Sequence, residues 1–314
     1  MEKNGTRDAP LRNGARENSA KIKKLWTGAR PSGMSAHMKS IFSPISLRTA
    51  LLAALVMVVS QLSTQASLLS SGVVLGASDQ VGGSRWAVFT LGTGVNDVNT
   101  LSSGANIWGD VAFAGSGKSN LSGTGSIRGA AVSQSSGSMV KSSTFGITGG
   151  TFNNRDAHLS QGASDAIGAS NFAAGLSASA GYPTTINQNT SFSLSGAANQ
   201  TVVLQLSDFV LSGTAALTLQ GTATTTYIIN VTNKFSLSGS SIVQLSGGLT
   251  ADNVLFNVRN SGDATMSSSA VVNGIVLATG RTMKMSGSAT VYGQVIANKV
   301  AMSGVSTVRR PISP

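Results

Sequence analysis

The chain repeats itself with a short period. Setting residues 264–279 (ATMSSSAVVNGIVLAT) over 283–298 (MKMSGSATVYGQVIAN), an offset of 19, gives eight identities in sixteen positions. The matched pairs include Met266 with Met285, Val272 with Val291, Gly274 with Gly293, Val276 with Val295 and Ala278 with Ala297. A related frame, Leu/Met-Ser-Ser/Gly followed by Ile/Val-x-Gly, occurs near residue 100. Leu101, Ser102, Ile107 and Gly109 form one copy, and Leu121, Ser122, Ile127 and Gly129 form the next, 20 residues on. A unit this small cannot bury its own apolar face, so copies have to stack on one another.

Short β-branched runs fill the repeats: 201–206 (TVVLQL), 216–220 (ALTLQ), 226–231 (TYIINV), 253–258 (NVLFNV) and 291–297 (VYGQVIA), each bounded by Gly, Ser or Asn. Such runs read as strands. An apolar-x-apolar-Ser-Gly unit recurs at 192–196, 209–213, 235–239, 283–287 and 300–304. Its spacings of 17 to 29 residues correspond to one coil, some with an insertion. Alternate side chains of the strand point inward, Gly allows the corner, and Ser satisfies local backbone groups there. Evenly spaced Val, Ile and Leu separate this Ser/Gly/Thr/Ala-rich chain from a disordered tract. A β-sandwich with chance repeats is the competing architecture, and the coincidence of period with motif favours the coil. The expected fold is all-β, a right-handed parallel β-solenoid (β-helix) with one short flanking α-helix, forming a single domain over 67–314.

Residues 153–181 break the pattern: they are Ala-rich and lack β-branched runs. Within them, 165–180 (DAIGASNFAAGLSASA) sets Phe172 and Leu176 four apart, with Asp165 placed as an N-cap. A helix within 165–180 lying against the coil is expected, although Gly168 and Gly175 weaken it.

Residues 1–48 hold ten Lys or Arg against Glu2, Asp8 and Glu17, a net of +7, and an unbroken apolar run follows at 50–59. A basic stretch, an apolar core of about 7–15 residues and small residues at the cleavage positions describe a secretory signal peptide. Thr64 and Ala66 suit positions −3 and −1, which puts cleavage between Ala66 and Ser67. The run is shorter than the roughly 20 residues of a membrane span, which disfavours an uncut anchor. A start at Met34 or Met38 would give a basic region of ordinary length. Residues 67–314 carry twelve Lys or Arg, eight Asp and no Glu, a net of +4. Most of the formal +11 therefore belongs to the leader, and a nucleic-acid partner loses its main support. With no Cys, neither a disulfide nor a thiolate site can exist.

Chemistry-bearing residues are sparse. His158 is the only histidine after the leader, and flanked by Ala157 and Leu159 it reads as a surface or packing residue. Asp97, Asp110, Asp156, Asp165, Asp208, Asp252 and Asp263 do not recur at one place in the coil and read as solvated or turn-capping groups. Without a histidine partner no Ser is a credible nucleophile, and the GSG at 115–117 lacks the Lys-Ser/Thr ending of a phosphate loop. The sequons at Asn120, Asn189, Asn199 and Asn230 would mean little in a bacterial producer. No catalytic, cofactor or metal residue is assigned, and the chain is not expected to be an enzyme. What remains is the surface, which in a stacked coil repeats about every 4.8 Å. Thr222, Thr224 and Thr226 alternate and are the candidate surface-binding residues, sharing one side of a strand; β-favouring residues at a strand start explain them as well.

The order of an Ala/Ser helix region, LxLxG strands, then 227–231 (YIINV), 253–258 (NVLFNV), 274–278 (GIVLA) and 293–297 (GQVIA) resembles the choice-of-anchor A, collagen-binding-type domain of bacterial surface proteins over 86–308. The C-terminal pattern, with 289–297 (ATVYGQVIA), is also similar to the ice-binding protein family with a discontinuous β-solenoid and a flanking helix. The fuller match through 192–258 favours the first. That resemblance implies a secreted, non-enzymatic adhesin or matrix-type binding protein, and the second implies ice binding. Neither supplies catalytic residues. The first family's domain is commonly followed by a sorting signal, whereas here Arg309-Arg310-Pro311-Ile312-Ser313-Pro314 carries none, so release or loose envelope association is expected. The expected partners are an extracellular polymer (collagen-like protein, glycan or cell-wall material) or an ice surface, with no nucleic acid, no cofactor, and membrane contact only during export. Ice binding calls for one broad, charge-free face, so Lys118, Arg128 and Lys141 spread over every face would count against it.

Overall fold

The computed structural model describes residues 86–310, apart from 93 and 261. The leader, with Ala66 and Ser67, lies outside the described residues. Within them the protein is mostly β with one helix. Three N-terminal coils come first. They are β1 (Val88–Thr90), β2 (Val98–Leu101) and β3 (Asn106–Trp108); β4 (Val111–Phe113), β5 (Lys118–Leu121) and β6 (Ser126–Ile127); and β7 (Ala131–Ser133), β8 (Ser138–Lys141) and β9 (Gly146–Ile147), with β10 (Thr151–Phe152) beginning a fourth. Helix α1 (Asp156–Gly175) follows. The chain then winds through β11 (Ile186–Gln188), β12 (Phe192–Ser195), β13 (Thr201–Leu211), β14 (Ala216–Gln220), β15 (Thr226–Leu237), β16 (Ile242–Ser246), β17 (Val254–Val258), β18 (Asp263–Met266), β19 (Val271–Met285), β20 (Thr290–Met302) and β21 (Thr307–Arg309).

Parallel pairings sort these strands into three ladders. The first runs β10-β7-β4-β1-β20-β19-β17-β15-β13. The second runs β8-β5-β2-β20-β19-β18-β15-β13-β11. The third runs β9-β6-β3-β21-β20-β19-β16-β14-β12. Strands β19 and β20 each pass through all three, shifting register between Ala278 and Thr282 where they turn from the first ladder into the second.

The repeat predicts this stacking residue by residue. Met266 pairs with Met285, and Val272, Gly274, Val276 and Ala278 pair with Val291, Gly293, Val295 and Ala297. Leu101 pairs with Leu121, and Ile107 with Ile127. One copy of the middle motif behaves differently. Phe192 stacks on Leu217 in the third ladder, and it is Ile186 that stacks on Phe209 in the second. The unit apolar-x-apolar-Ser serves more than one ladder, so the motif alone does not fix which one a copy joins.

The core consists of inward side chains from all three ladders. Phe209, Phe235 and Phe256 meet there with ring centroids 5.2 to 5.8 Å apart, a spacing at which aromatic pairs attract beyond their burial. The corner between the second and third ladders is a four-residue turn in which Ala270 N–H donates to Ser267 O, at 3.3 Å, and Ala289 N–H to Ser286 O, at 3.4 Å. Its second residue takes the left-handed conformation, as Ser268 at φ 59° and Gly287 at φ 68°, which explains the Gly or Ser required after each corner Ser.

The order of coils in space is not their order in sequence. The chain starts mid-stack, winds to one end, returns along α1 to the other end and winds back, until β20 and β21 pair with β1, β2 and β3. Asn99 stitches this closure: its Oδ1 accepts Val300 N–H at 3.0 Å, and its Nδ2 donates to Thr90 Oγ1 at 3.2 Å. The return sets the length of α1. From β7 to β13 in the first ladder are seven rungs, roughly 34 Å at about 4.8 Å each, and a helix of 20 residues reaches about 30 Å. The helix is thus longer than expected and starts earlier. Asp165 is no N-cap; it lies mid-helix, accepting Gln161 Nε2 at 2.7 Å. The buried stripe, Leu159, Gly162, Ala166, Ser170 and Ala173, is composed of small residues apart from Leu159, so the first half of the helix lacks the bulky apolar periodicity that marks a helix in sequence.

Candidate surface-binding faces

The helix removes the first ladder from consideration. Outer residues Phe89, Ala112, Val132, Val203, Ile228, Leu255, Leu277 and Ile296 are buried with Leu159, Ala166 and Ala173 in a second apolar cluster. Polar residues of the same ladder satisfy the carbonyls that a helix C-terminus leaves without partners. Asn230 Nδ2 donates to Ala173 O at 2.8 Å and Gln205 Nε2 to Leu176 O at 2.7 Å, while Asn257 Nδ2 adds a second bond to Ser170 O, inside the helix, at 2.8 Å. Asn257 also donates to Asn230 Oδ1 and accepts Ser170 Oγ–H, both at 2.7 Å.

The second ladder is exposed and charged. Asp208 and Lys234 occupy paired positions, Lys284 Nζ lies 2.6 Å from Asp263, Lys299 Nζ lies 3.3 Å from Asp97, and Lys118 is exposed beside Val98. Lys141 is also exposed on this ladder, donating to Phe145 O at 2.9 Å.

The third ladder presents two outer rows. The first aligns Ala216, Ile242, Val271, Thr290, Thr307, Asn106, Ser126 and Gly146. In the second, Ser193, Thr218 and Gln244 align, as do Asn273, Tyr292, Arg309 and Trp108. Arg128 follows one rung on: its guanidinium carbon stands 3.7 Å from the Trp108 ring centroid, and that of Arg309 stands 4.9 Å from the same ring. This arrangement escaped the sequence reading, yet its signal is present. Trp108 and Arg128 are the variable residues of the two Ile-x-Gly copies, so the repeat itself places them on neighbouring rungs.

Thr222, Thr224 and Thr226 do not share a strand face. Thr222 and Thr224 are exposed in the turn before β15, joined through their hydroxyls at 3.0 Å, whereas Thr226 opens the strand and is buried. The turn closes through Thr225 N–H to Thr222 O at 3.0 Å, and this shifts the alternation counted from Thr222.

The aspartates have local roles. Asp97 accepts Gly94 N–H at 3.0 Å, Asp110 accepts Ala130 N–H at 2.8 Å, Asp156 accepts Ser135 N–H at 3.0 Å, and Asp208 accepts Lys234 N–H at 3.1 Å. Asp252 lies 4.0 Å from Arg310. His158 packs its ring 6.1 Å from that of Trp86. Among the described residues no three His, Asp or Glu side chains converge as metal ligands, and no helix is long and apolar enough to cross a membrane.

Stacked short strands, one helix-covered ladder and two open ones define, among the described residues, a repeat-built β-protein with two exposed faces. The chain belongs to the ice-binding-like adhesive domain family, whose profile matches residues 58–307. Of the two resemblances drawn from sequence, this match falls on the ice-binding side. No curated protein matches the chain. Among solved structures, it is similar to an ice-binding protein from the Antarctic ascomycete Antarctomyces psychrotrophicus, at 20% identity and a TM-score of 0.44, over 71% of this chain and 100% of that one. It is also similar to an ice-binding protein from an Antarctic biological consortium, at 21% identity and a TM-score of 0.47, over 77% and 92%. A third likeness is to ice-binding protein 1 of Shewanella frigidimarina, at 14% identity and a TM-score of 0.41, over 76% and 99%.

Proposed function

We propose that this chain is an exported, non-enzymatic adhesive module that holds an extracellular polymer against the open ladders of a right-handed parallel β-solenoid. The handedness follows from the strong preference of parallel crossover connections for the right-handed form. Export follows from the basic and apolar leader at 1–59. The observation that carries adhesion is charge on both open ladders: Asp208, Lys234, Asp263, Lys284 and Lys299 on the second, Arg128 and Arg309 on the third. Ions hold their own water and interrupt the regular, uncharged lattice that an ice face needs, whereas a polymer of mixed polarity pairs with them.

Ice binding is the second reading. It is favoured by the part of the third ladder without charge, where Ser193, Thr218, Gln244 and Asn273 border Ala216, Ile242 and Val271. One pair of measurements separates the two. Adhesion expects retention of the full chain on insoluble glycan, collagen or cell-wall material with no thermal hysteresis. Thermal hysteresis without retention on any of these polymers would overturn the adhesive reading.

A further inference from the structure

We infer that Arg128, Trp108 and Arg309 form a binding site for a linear acidic polysaccharide, one whose carboxylate or sulfate groups recur along the chain. This rests on the adhesive reading above and names the class of polymer. The two guanidiniums stand over the Trp108 ring at 3.7 and 4.9 Å. Arg309 and Trp108 are register partners and Arg128 follows Trp108 one rung on, so both cations gather at one ring. Among the described residues neither guanidinium has a hydrogen-bond or ion-pair partner, and Arg128 and Arg309 are both exposed. The neighbouring Arg310 differs, lying 4.0 Å from Asp252.

A guanidinium stacked on an aromatic ring keeps its in-plane N–H groups pointed outward, in the fork that matches a carboxylate or sulfate. The stacking also immobilises two long side chains that would otherwise lose rotamer freedom on binding. With two guanidiniums over its ring, Trp108 is a poor platform for stacking a base, and this separates the site from one for single-stranded nucleic acid. Hydrogen-bonding groups suited to sugar hydroxyls border it, namely Asn106 and Thr307 in the adjacent row and Tyr292 one rung beyond Arg309. The site spans β21, β3 and the turn after β6, so it exists only where the last coil meets the first.

The test uses the full chain with polygalacturonate, its fully methyl-esterified form and single-stranded DNA as probes. Polygalacturonate is expected to bind with an affinity that falls as salt rises, and the neutral ester and the DNA are expected to bind far more weakly. The double variant Arg128→Gln, Arg309→Gln is expected to lose at least about fivefold in polygalacturonate affinity, with its thermal unfolding midpoint retained. The double variant Arg128→Lys, Arg309→Lys, which keeps charge but not the planar fork, is expected to fall between. Equal binding by the Gln variant, or equal binding of the ester or the DNA, would overturn the assignment. If the chain is held by insoluble polymers and the Gln variant is held equally, the acidic site fails while adhesion stands. If no polymer holds the chain, both fail.

Discussion

Val272 and Val291, nineteen residues apart in the chain, are Cα partners on neighbouring rungs, and both side chains are fully buried. One repeat of sequence is therefore one rung of structure. Each inward side chain packs against its counterparts above and below as well as across the core, so the cost of removing one is set by the column it belongs to.

The column Met266, Met285, Met302 makes this measurable, since Met285 is buried between register partners on both sides. Met285→Ala is expected to cost about 2–5 kcal/mol in chemical denaturation. Lys284→Ala, one residue away on the exposed face, is expected to cost less than about 1 kcal/mol. Similar losses for both would mean that burial in the column does not set the cost.

Two glycines have opposite expectations. Gly293 sits at φ 147°, and a Cβ added there would run into the Gly274 carbonyl, so any side chain meets backbone. Gly293→Ala is expected to lower the unfolding midpoint sharply. Gly168 lies within α1 with open space around it, and Gly168→Ala is expected to add about 0.5–1 kcal/mol through helix propensity.

Asn257 ties α1 to the first ladder through two hydrogen bonds with Ser170 and donates a further one to Asn230 on the neighbouring rung. Asn257→Ala leaves the Ser170 hydroxyl without its acceptor and the Asn230 side-chain oxygen without its donor in a buried setting, at about 1–3 kcal/mol for each group left without a partner. Amide exchange is expected to quicken at 170–176 before it does in β19 and β20. Uniform quickening through the whole domain would show that the helix is not held separately.

Tyr227 gives the fold a dependence on alkaline pH. Burial pushes its phenol up to about 12 from an ordinary 10.0, with Tyr182 adding to the rise and a backbone hydrogen bond at Gln220 opposing it. Because the unfolded chain ionises first, the stabilisation is complete below pH 10 and is lost as pH rises through about 12. In Tyr227→Phe the decline in stability between these values is expected to be shallower, followed by denaturant unfolding at stepped pH.

Much of the stack was legible because the signal and the structure share a period: Met266, Val272 and Gly274 announce their partners by identity alone. The corner chemistry was legible too, since a left-handed second position admits Gly or Ser and little else in this chain. Three features were not. The helix N-terminus was missed because a stripe of Gly, Ala and Ser packs closely without bulky apolar side chains. The ladder of Phe192 was misjudged because the same motif serves two ladders. Thr226 was placed with Thr222 because alternation was counted through a turn. Trp108 and Arg128 were within reach, as one position in two aligned repeats, but each was read separately where the register makes them neighbours.

The meeting of the first coil with the last has a consequence for biosynthesis. As the nascent chain emerges, β1 to β3 leave a backbone edge open, and it stays open until residues 290–309 arrive to cover it. Such edges recruit other chains. A premature stop before residue 290 would thus release a fragment whose middle coil keeps an uncovered seam, because residues 290–309 are the ones that close it.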